Sequence, residues 1–188
     1  MNYNPDKHNR RSIRLKGYDY SQPGVYYVTL CVSDRQCCLG RIEKGQIKLS
    51  GIGGISDKYW KEIPHHFNHV ELDQYMVMPN HIHGILILNN HNQVGVQNFE
   101  PLPITNNHQI HRYQHIIPHS ISSIIRVFKS AITHWCRGNG FKNFHWQRNY
   151  YEHIVRDENE LNRIRKYIIE NPSKWDLDNE NPNKMRTH

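Results

Sequence analysis

The stretch Met78-Pro79-Asn80-His81-Ile82-His83-Gly84-Ile85-Leu86-Ile87-Leu88 predicts a buried β-strand headed by two histidines. Because side chains alternate between the faces of a strand, His81 and His83 point the same way. Two imidazoles side by side on a sheet are half of a divalent-metal site that lacks an oxygen ligand. The same pattern also occurs on half-solvated strands that bind nothing, so the rest of the chain decides between the two.

Length and charge limit the class of protein. The chain has 188 residues, enough for one domain with a substantial core. Lys and Arg number 24 against 17 Asp and Glu, a formal net charge of +7. This balance favours polyanionic partners such as nucleic acid, although ordinary solubility explains it as well.

The cysteines and the apolar runs bear on the compartment. Cys31, Cys37, Cys38 and Cys136 form neither a C-x-x-C pair nor a disulfide-dense framework, and no signal peptide precedes them. We therefore expect free thiols and a cytoplasmic protein. The longest apolar runs have the length of strands, so we expect no membrane span.

Hydrophobic periodicity predicts an α+β fold with a mostly antiparallel sheet. Strands are expected over 25–32, 70–77, 82–88 and 150–155, with a small hairpin around Lys44-Gly45. Along 70–77 the alternation puts Val70, Leu72 and Gln74 on one face. Helices are expected over 50–63, which the segment Pro64-His65-His66-Phe67-Asn68 ends, over 120–137, and from Asp157 to just before Pro172.

Composition divides the chain into a basic N-terminal segment (1–24), a central domain (25–175) and a polar C-terminal tail (176–188). The tail is expected to be frayed. Residues 89–119 are rich in Asn, His and Gln and are predicted to form a mobile insertion loop. Its spaced histidines have no acid or Cys beside them, and a proline interrupts any helix there, so we interpret them as solvated (His108, His111, His115, His119).

The last helix strengthens the interpretation of the histidine pair as part of a metal site. Tyr167 and Asn171 are four residues apart and share one helix face. They are either surface side chains or, if this face meets the histidine strand, parts of a site. In the second case His81, His83 and the Asn171 carbonyl supply a mixed N/O ligand set for Mg²⁺ or Mn²⁺.

Tyr167 would then stand beside a metal-bound phosphate, as a nucleophile should. A metal ion polarises a phosphodiester and orients in-line displacement. Attack by a tyrosyl oxygen forms a covalent phosphotyrosine and splits strand cleavage into two easier steps. The ester keeps the bond energy, so rejoining needs no ATP.

Several motifs, in order, resemble the REP-associated tyrosine transposases, a group of single-domain His-hydrophobic-His tyrosine transposases. The resemblance spans about residues 10–175 apart from the loop at 89–119. The motifs include His81, His83, Tyr167 and Asn171. They are Arg11-Ser12-Ile13-Arg14-Leu15-Lys16-Gly17-Tyr18-Asp19-Tyr20, Val77-Met78-Pro79-Asn80-His81-Ile82-His83-Gly84, Phe128-Lys129-Ser130-Ala131, Trp146-Gln147-Arg148-Asn149-Tyr150-Tyr151-Glu152-His153-Ile154-Val155-Arg156 and Tyr167-Ile168-Ile169-Glu170-Asn171-Pro172.

The resemblance implies a ferredoxin-like sheet with helices packed on it and a Mg²⁺ or Mn²⁺ site. It also implies an endonuclease and transposase that cleaves and rejoins single-stranded DNA with hairpin structure, through a 5′-phosphotyrosine. By position, His81 and His83 correspond to the metal-binding pair, Asn171 to the third ligand and Tyr167 to the nucleophile. The basic N-terminal segment, with Arg10, Arg11, Arg14 and Lys16, matches a region that contacts hairpin DNA. Related enzymes include obligate dimers and monomers, so a homodimer stays open.

Other residues have two interpretations each. Arg126, Lys129 and Arg148 are candidate DNA-backbone contacts or solvated charges. His153 is a phosphate contact or a satisfied polar residue. The aromatics Trp146, Tyr150 and Tyr151 stack on unpaired bases or fill the core. Tyr150 and Tyr151 are also rival nucleophiles, but they lack an amide partner at helical spacing.

Two further functions compete with the transposase. The first is a domesticated protein that binds hairpin DNA without cutting it. The second is a metal-dependent nuclease that uses water and forms no protein adduct. The presence of His81, His83, Tyr167 and Asn171 together favours the transposase, because a DNA-binding protein does not need them.

Overall fold

The computed structural model describes residues 19–90 and 117–184. Helices and strands are interspersed along the chain, and a 3-10 segment, Pro172–Leu177, follows the last helix. The elements are β1 (Gly24–Cys31), β2 (Gly40–Glu43), β3 (Gln46–Leu49), α1 (Gly51–Lys61), α2 (Ile63–His66), β4 (Val70–Val77), β5 (His81–Leu88), α3 (Ile121–Gly138), β6 (Tyr151–Val155) and α4 (Glu158–Glu170).

The main sheet has four antiparallel strands in the order β4-β5-β1-β6. With α1 between the first two of these strands in the chain and α3 between the last two, this is the ferredoxin-like arrangement. Strands β2 and β3 form a separate hairpin, whose turn residues Lys44 and Gly45 both have positive φ. The predicted α+β class and antiparallel sheet are confirmed.

Helices α1 and α3 cover one face of the sheet. Ser50 and Ser120 cap their N-termini by accepting hydrogen bonds from backbone N–H groups. Trp60 of α1 is fully buried and lies against Gly84 of β5. A Cβ on Gly84 would approach the Trp60 ring to 2.2 Å, so only glycine permits this packing.

Helix α4 covers the opposite face, and its N-cap Asp157 accepts a hydrogen bond from the N–H of Glu160. Leu161 and Ile168 of α4 pack on Ile85 of β5. Because β5 alternates, the face that presents Ile85 also presents His81 and His83. Helix α4, with Tyr167 and Asn171, is therefore brought over the histidine pair.

Two local expectations are wrong. The alternation predicted along β4 breaks at a β-bulge between Leu72 and Tyr75, so Tyr75, not Gln74, continues the face of Val70 and Leu72. The first helix ends at Lys61 and not at Ile63. Pro64 lies in the first turn of a separate short helix, α2, where the N–H it lacks is not needed.

The C-terminal tail is not frayed over its described part. Asp178 and Asn181 are buried, and the Glu180 carbonyl accepts a hydrogen bond from Asn80 Nδ2 at 2.7 Å. The tail therefore returns to the start of β5 and covers the histidine pair. All four cysteines are free thiols. Among the helices of the described ranges, none is long and apolar enough to cross a membrane.

Candidate active site

The histidine pair forms the floor of the site. The His81 side chain has no exposed surface, His83 is 3% exposed, and their Nε2 atoms lie 2.9 Å apart. In β1, Cys31 and Thr29 pair with the two histidines, so the site lies at the end of the sheet where β5 begins. Both imidazoles thus face one point in a water-poor environment.

Asn80 determines which nitrogen of His81 carries the proton. Its Nδ2 donates to the carbonyls of Arg35 (3.0 Å) and Glu180 (2.7 Å), which fixes the orientation of the amide. Its Oδ1 therefore faces His81 Nδ1 at 2.8 Å and can only accept a hydrogen bond. His81 is protonated at Nδ1, and its Nε2 lone pair points toward His83.

Two hydroxyls hold His83. Tyr27 Oη and Thr29 Oγ1 lie 2.8 and 2.9 Å from His83 Nδ1. Because a hydroxyl both donates and accepts, this pair tolerates either tautomer of His83. The Nε2 of His83 can therefore bear the proton shared with His81 or offer its lone pair to a cation.

Burial keeps both histidines neutral. It lowers the pKa of His81 to about 3, and it lowers the pKa of His83 well below its ordinary value, with the neighbouring His81 as a further cause. Neutral imidazole is the form that binds metal ions.

Helix α4 contributes Tyr167 and Asn171, as expected from their spacing. Tyr167 Oη lies 3.4 Å from His83 Nε2, and the side chain is 47% exposed, so the phenol is open to solvent on one side. Asn171 is buried and its Nδ2 donates to Asp178 at 2.9 Å. Its Oδ1 is buried and has no hydrogen-bond partner within 19–90 and 117–184.

The residue that sequence reasoning missed is Asp178. Its carboxylate lies 3.9 Å from His81 Nε2, and potential ligand atoms of His81, His83 and Asp178 all fall within 4.8 Å of one another. No spacing signal marks Asp178, since it is one of several acidic residues in a polar tail. Only the path of the chain after Pro172 brings it to the site.

The donor set fits a divalent cation. Two neutral imidazoles and one carboxylate converge in a buried space, and the unpartnered Oδ1 of Asn171 adds an oxygen. A buried carbonyl oxygen without a partner is uncommon in folded proteins, and a metal ligand is one explanation for it. Mixed nitrogen and oxygen ligands suit Mn²⁺ and related ions.

The same surroundings make Tyr167 a weak acid. Burial, and then the negative charge of Asp178, raise the pKa of Tyr167 to about 12, while a hydrogen bond from Asn171 opposes them. The phenol is therefore protonated at neutral pH.

The other predicted residues lie in different places. Arg126 and Arg148 are exposed. Lys129 Nζ donates to the carbonyls of Gln147 (2.9 Å) and Asn149 (3.1 Å), and burial lowers its pKa to about 8. His153 is paired with Glu160 at 2.8 Å. Arg10, Arg11, Arg14, Lys16 and most of the 89–119 loop lie outside the described residues.

The rival tyrosines differ from Tyr167 in their contacts. Tyr150 and Trp146 are half-buried against the core that α1 and α3 form. Tyr151 is 45% exposed and its ring lies edge-on to Tyr27 at 6.0 Å. Tyr167 is the tyrosine whose hydroxyl approaches Nε2 of a histidine of the pair among the residues described.

Fold and site together define a class: a ferredoxin-like domain with a paired-histidine strand and a tyrosine on the facing helix. A solved structure of a REP-associated tyrosine transposase bound to a REP hairpin superposes with a TM-score of 0.58 at 20% identity. The match covers 87% of this chain and 74% of that one. The resemblance predicted from the motifs is thereby confirmed at the level of the fold, including its ferredoxin-like sheet.

The chain is also 39% identical over 176 residues to an uncharacterized protein of Haemophilus influenzae (strain Rd). That alignment covers 94% of this chain and 95% of the relative. The chain belongs to the same family as this Haemophilus protein. No family model matches the chain.

Proposed function

We propose that the protein is a metal-dependent transposase that cleaves and rejoins single-stranded DNA beside hairpins through a 5′-phosphotyrosine. One observation carries the proposal. The hydroxyl of Tyr167 lies 3.4 Å from Nε2 of His83, at the mouth of the buried group of His81, His83 and Asp178. A DNA-binding surface alone would not need a half-exposed phenol next to a set of buried metal-type ligands.

His81, His83 and Asp178 would hold the ion, and Asn171 Oδ1 would add a fourth ligand. The ion is Mg²⁺ or Mn²⁺, and the two imidazoles favour Mn²⁺. When bound, it would offset the charge of Asp178, favour the phenolate of Tyr167 and polarise the scissile phosphate. Asn80, Tyr27 and Thr29 orient the histidines for this task.

Tyr167 would perform the covalent step. Its Oη forms a bond to phosphorus while the bond from phosphorus to the 3′ oxygen breaks. The phenolic proton is lost to solvent or base, and the departing strand gains one as its 3′-hydroxyl. Attack of a 3′-hydroxyl on the phosphotyrosine reverses the sequence and joins two ends.

A basic groove supports DNA as the partner. An open cavity of about 470 Å³ lies along α3 and the loop before β6, and none of the described residues that line it is acidic. Arg137 and Arg148 are exposed there, and His134 and His145 add two further imidazoles. We assign the phosphate contacts to Arg137 and Arg148, and we assign to Lys129 the positioning of the loop through its two carbonyl contacts. The hairpin bound to the transposase of similar fold makes hairpin DNA the first substrate to test.

Substitution of Tyr167 tests the proposal. End-labelled hairpin DNA with single-stranded tails is incubated with Mn²⁺ and resolved by denaturing electrophoresis. We expect a covalent protein–DNA band for the wild type and for Tyr151→Phe, the matched control. We expect none for Tyr167→Phe, with hairpin affinity unchanged.

Each other result points to a different function. A persistent adduct in Tyr167→Phe would reject this residue as the nucleophile. Hairpin binding without an adduct under any divalent ion would identify a domesticated DNA-binding protein. Cleavage without an adduct would identify a nuclease that uses water.

A further inference from the structure

A second cavity lies beside Tyr167, on the side away from the tail. It is open, has a volume of about 430 Å³ and lies between β6 and α4. Tyr27, Tyr151 and His153 contribute one wall. The other wall consists of residues of α4: Glu160, Arg163, Ile164 and Tyr167. We call it the Tyr151 pocket. A volume in this range suits a small planar ligand.

Tyr151 gives the pocket an aromatic surface that the fold does not need. Its side chain is 45% exposed, and its hydroxyl makes no hydrogen bond within the described parts of the chain. The adjacent Tyr150, by contrast, packs against the main core. The rings of Tyr151 and Tyr27 meet in a T-shaped arrangement with centroids 6.0 Å apart, and the 45% exposure of Tyr151 leaves ring surface available for stacking.

The remaining walls suit a nucleotide. Ile164 is an apolar floor, and Arg163 is an exposed guanidinium with no ion pair within 19–90 and 117–184. Glu160 is hydrogen-bonded to His153, and the charge of Arg163 also helps to lower the pKa of Glu160. The guanidinium of Arg163 is nevertheless exposed and can reach a phosphate. An aromatic ring surface, an apolar side chain and an exposed guanidinium together match an unpaired base and its backbone.

We propose that the Tyr151 pocket binds the unpaired base next to the scissile phosphate, with Tyr151 as the stacking surface and Arg163 on the adjoining phosphate. This assignment rests on the proposed function, because Tyr167 forms part of the same wall. It gives the enzyme a contact to the strand that is separate from the basic groove along α3. The stacking is tolerant of base identity, since every base has a π face.

The test uses a metal-free binding measurement. A short oligothymidylate carrying one 2-aminopurine is titrated with protein in EDTA, and quenching of the base fluorescence reports stacking. We expect quenching by the wild type and by Tyr151→Phe. We expect Tyr151→Leu to lose the quenching and to bind about tenfold more weakly. Phe141→Leu, which removes a ring of similar exposure outside the pocket, should behave as the wild type.

The outcomes separate this inference from the proposed function. If Tyr151→Leu quenched and bound as well as the wild type, or if the wild type did not quench, the proposal that this pocket binds a base would be rejected. With Mn²⁺ present, an abasic residue next to the cleaved phosphate should slow adduct formation in the wild type and cause no further loss in Tyr151→Leu; independent losses would also overturn it. If quenching depended on Tyr151 but no adduct formed, the proposed cleavage would be rejected and the base-binding pocket would be supported.

Discussion

The two faces of the main sheet are built differently. The face under α1 and α3 is a continuous apolar core around Trp60, Leu86 and Phe128. The face under α4 has a smaller apolar cluster, in which Ile85, Leu161 and Ile168 are buried. Five partly buried side chains pack against them: Val25, Tyr27, Met76, Val155 and Ile164. Near the start of β5 the same face carries imidazoles, hydroxyls and a carboxylate around His81 and His83.

The two faces therefore have different roles: one stabilises the fold, and the other carries the candidate active site. Buried apolar area stabilises a domain roughly in proportion to its extent, whereas buried polar groups at best offset their own desolvation. The α1/α3 face therefore holds the sheet together. The α4 face can therefore carry a buried polar atom such as Asn171 Oδ1, which has no hydrogen-bond partner among the described residues.

The largest expected effect breaks the apolar face. Trp60→Ala removes a fully buried ring that packs on Gly84 and lies edge-on to Phe128 at 5.2 Å. We expect the free energy of unfolding to fall by about 3–5 kcal/mol in urea titrations. Ile164→Ala, on the α4 face and half-buried, should cost about 1 kcal/mol. Similar losses at the two positions would show that the faces contribute equally.

The next effect tests whether the polar face is stabilised by a ligand. Mn²⁺ at about 100 times its Kd should raise the free energy of unfolding by about 2.7 kcal/mol. Asp178→Asn keeps the size of the side chain and removes its charge, so this stabilisation should largely disappear. Asp176→Asn, an exposed neighbour in the same tail, is the control. An undiminished Mn²⁺ effect on thermal unfolding of Asp178→Asn would exclude Asp178 as a ligand.

The predictability of the two faces also differs, for a physical reason. Local patterns carry most of the fold: β5 alternates, Ser120 and Asp157 cap their helices, and the Lys44-Gly45 turn closes its hairpin. The histidine pair and the α4 residues were predictable in the same way, because spacing along one element determines which side chains share a face.

Features set by tertiary packing were not predictable. The bulge in β4 has no local signal, and it reverses which side chains face the core after Leu72. Asp178 reaches the site only because the tail folds back and Asn80 binds the Glu180 carbonyl. A polar tail gives no periodicity from which such a return could be inferred.

The smallest expected effect on stability concerns the ion pair that holds α4 on the sheet face with the smaller apolar cluster. Arg165 donates to both carboxylate oxygens of Asp73, at the β4 bulge, and is two residues from Tyr167. A partly exposed pair of this kind contributes about 1 kcal/mol or less, so a double-mutant cycle with Arg165→Met and Asp73→Asn should give a small coupling energy.

Its effect on chemistry should be larger than its effect on stability. If the pair positions Tyr167 over the histidines, Arg165→Met should slow adduct formation about tenfold or more, because catalysis is sensitive to small displacements. Lys166→Met, which removes a more exposed pair with Glu170 on the same helix, should leave the rate unchanged. Equal rates for both variants would mean that the apolar contacts alone position α4.

The pH dependence gives an independent check of the same contact. The hydrogen bonds from Arg165 lower the pKa of Asp73 below its ordinary value of 3.8. Between the lowered pKa and the ordinary one, the carboxylate of Asp73 therefore stays ionised in the folded state, whereas in the unfolded chain it binds a proton. The coupling energy should be fully present above that ordinary value and decline as pH falls through the lowered pKa. A coupling energy that is unchanged on acidification through this range would show that charge does not hold α4 in place.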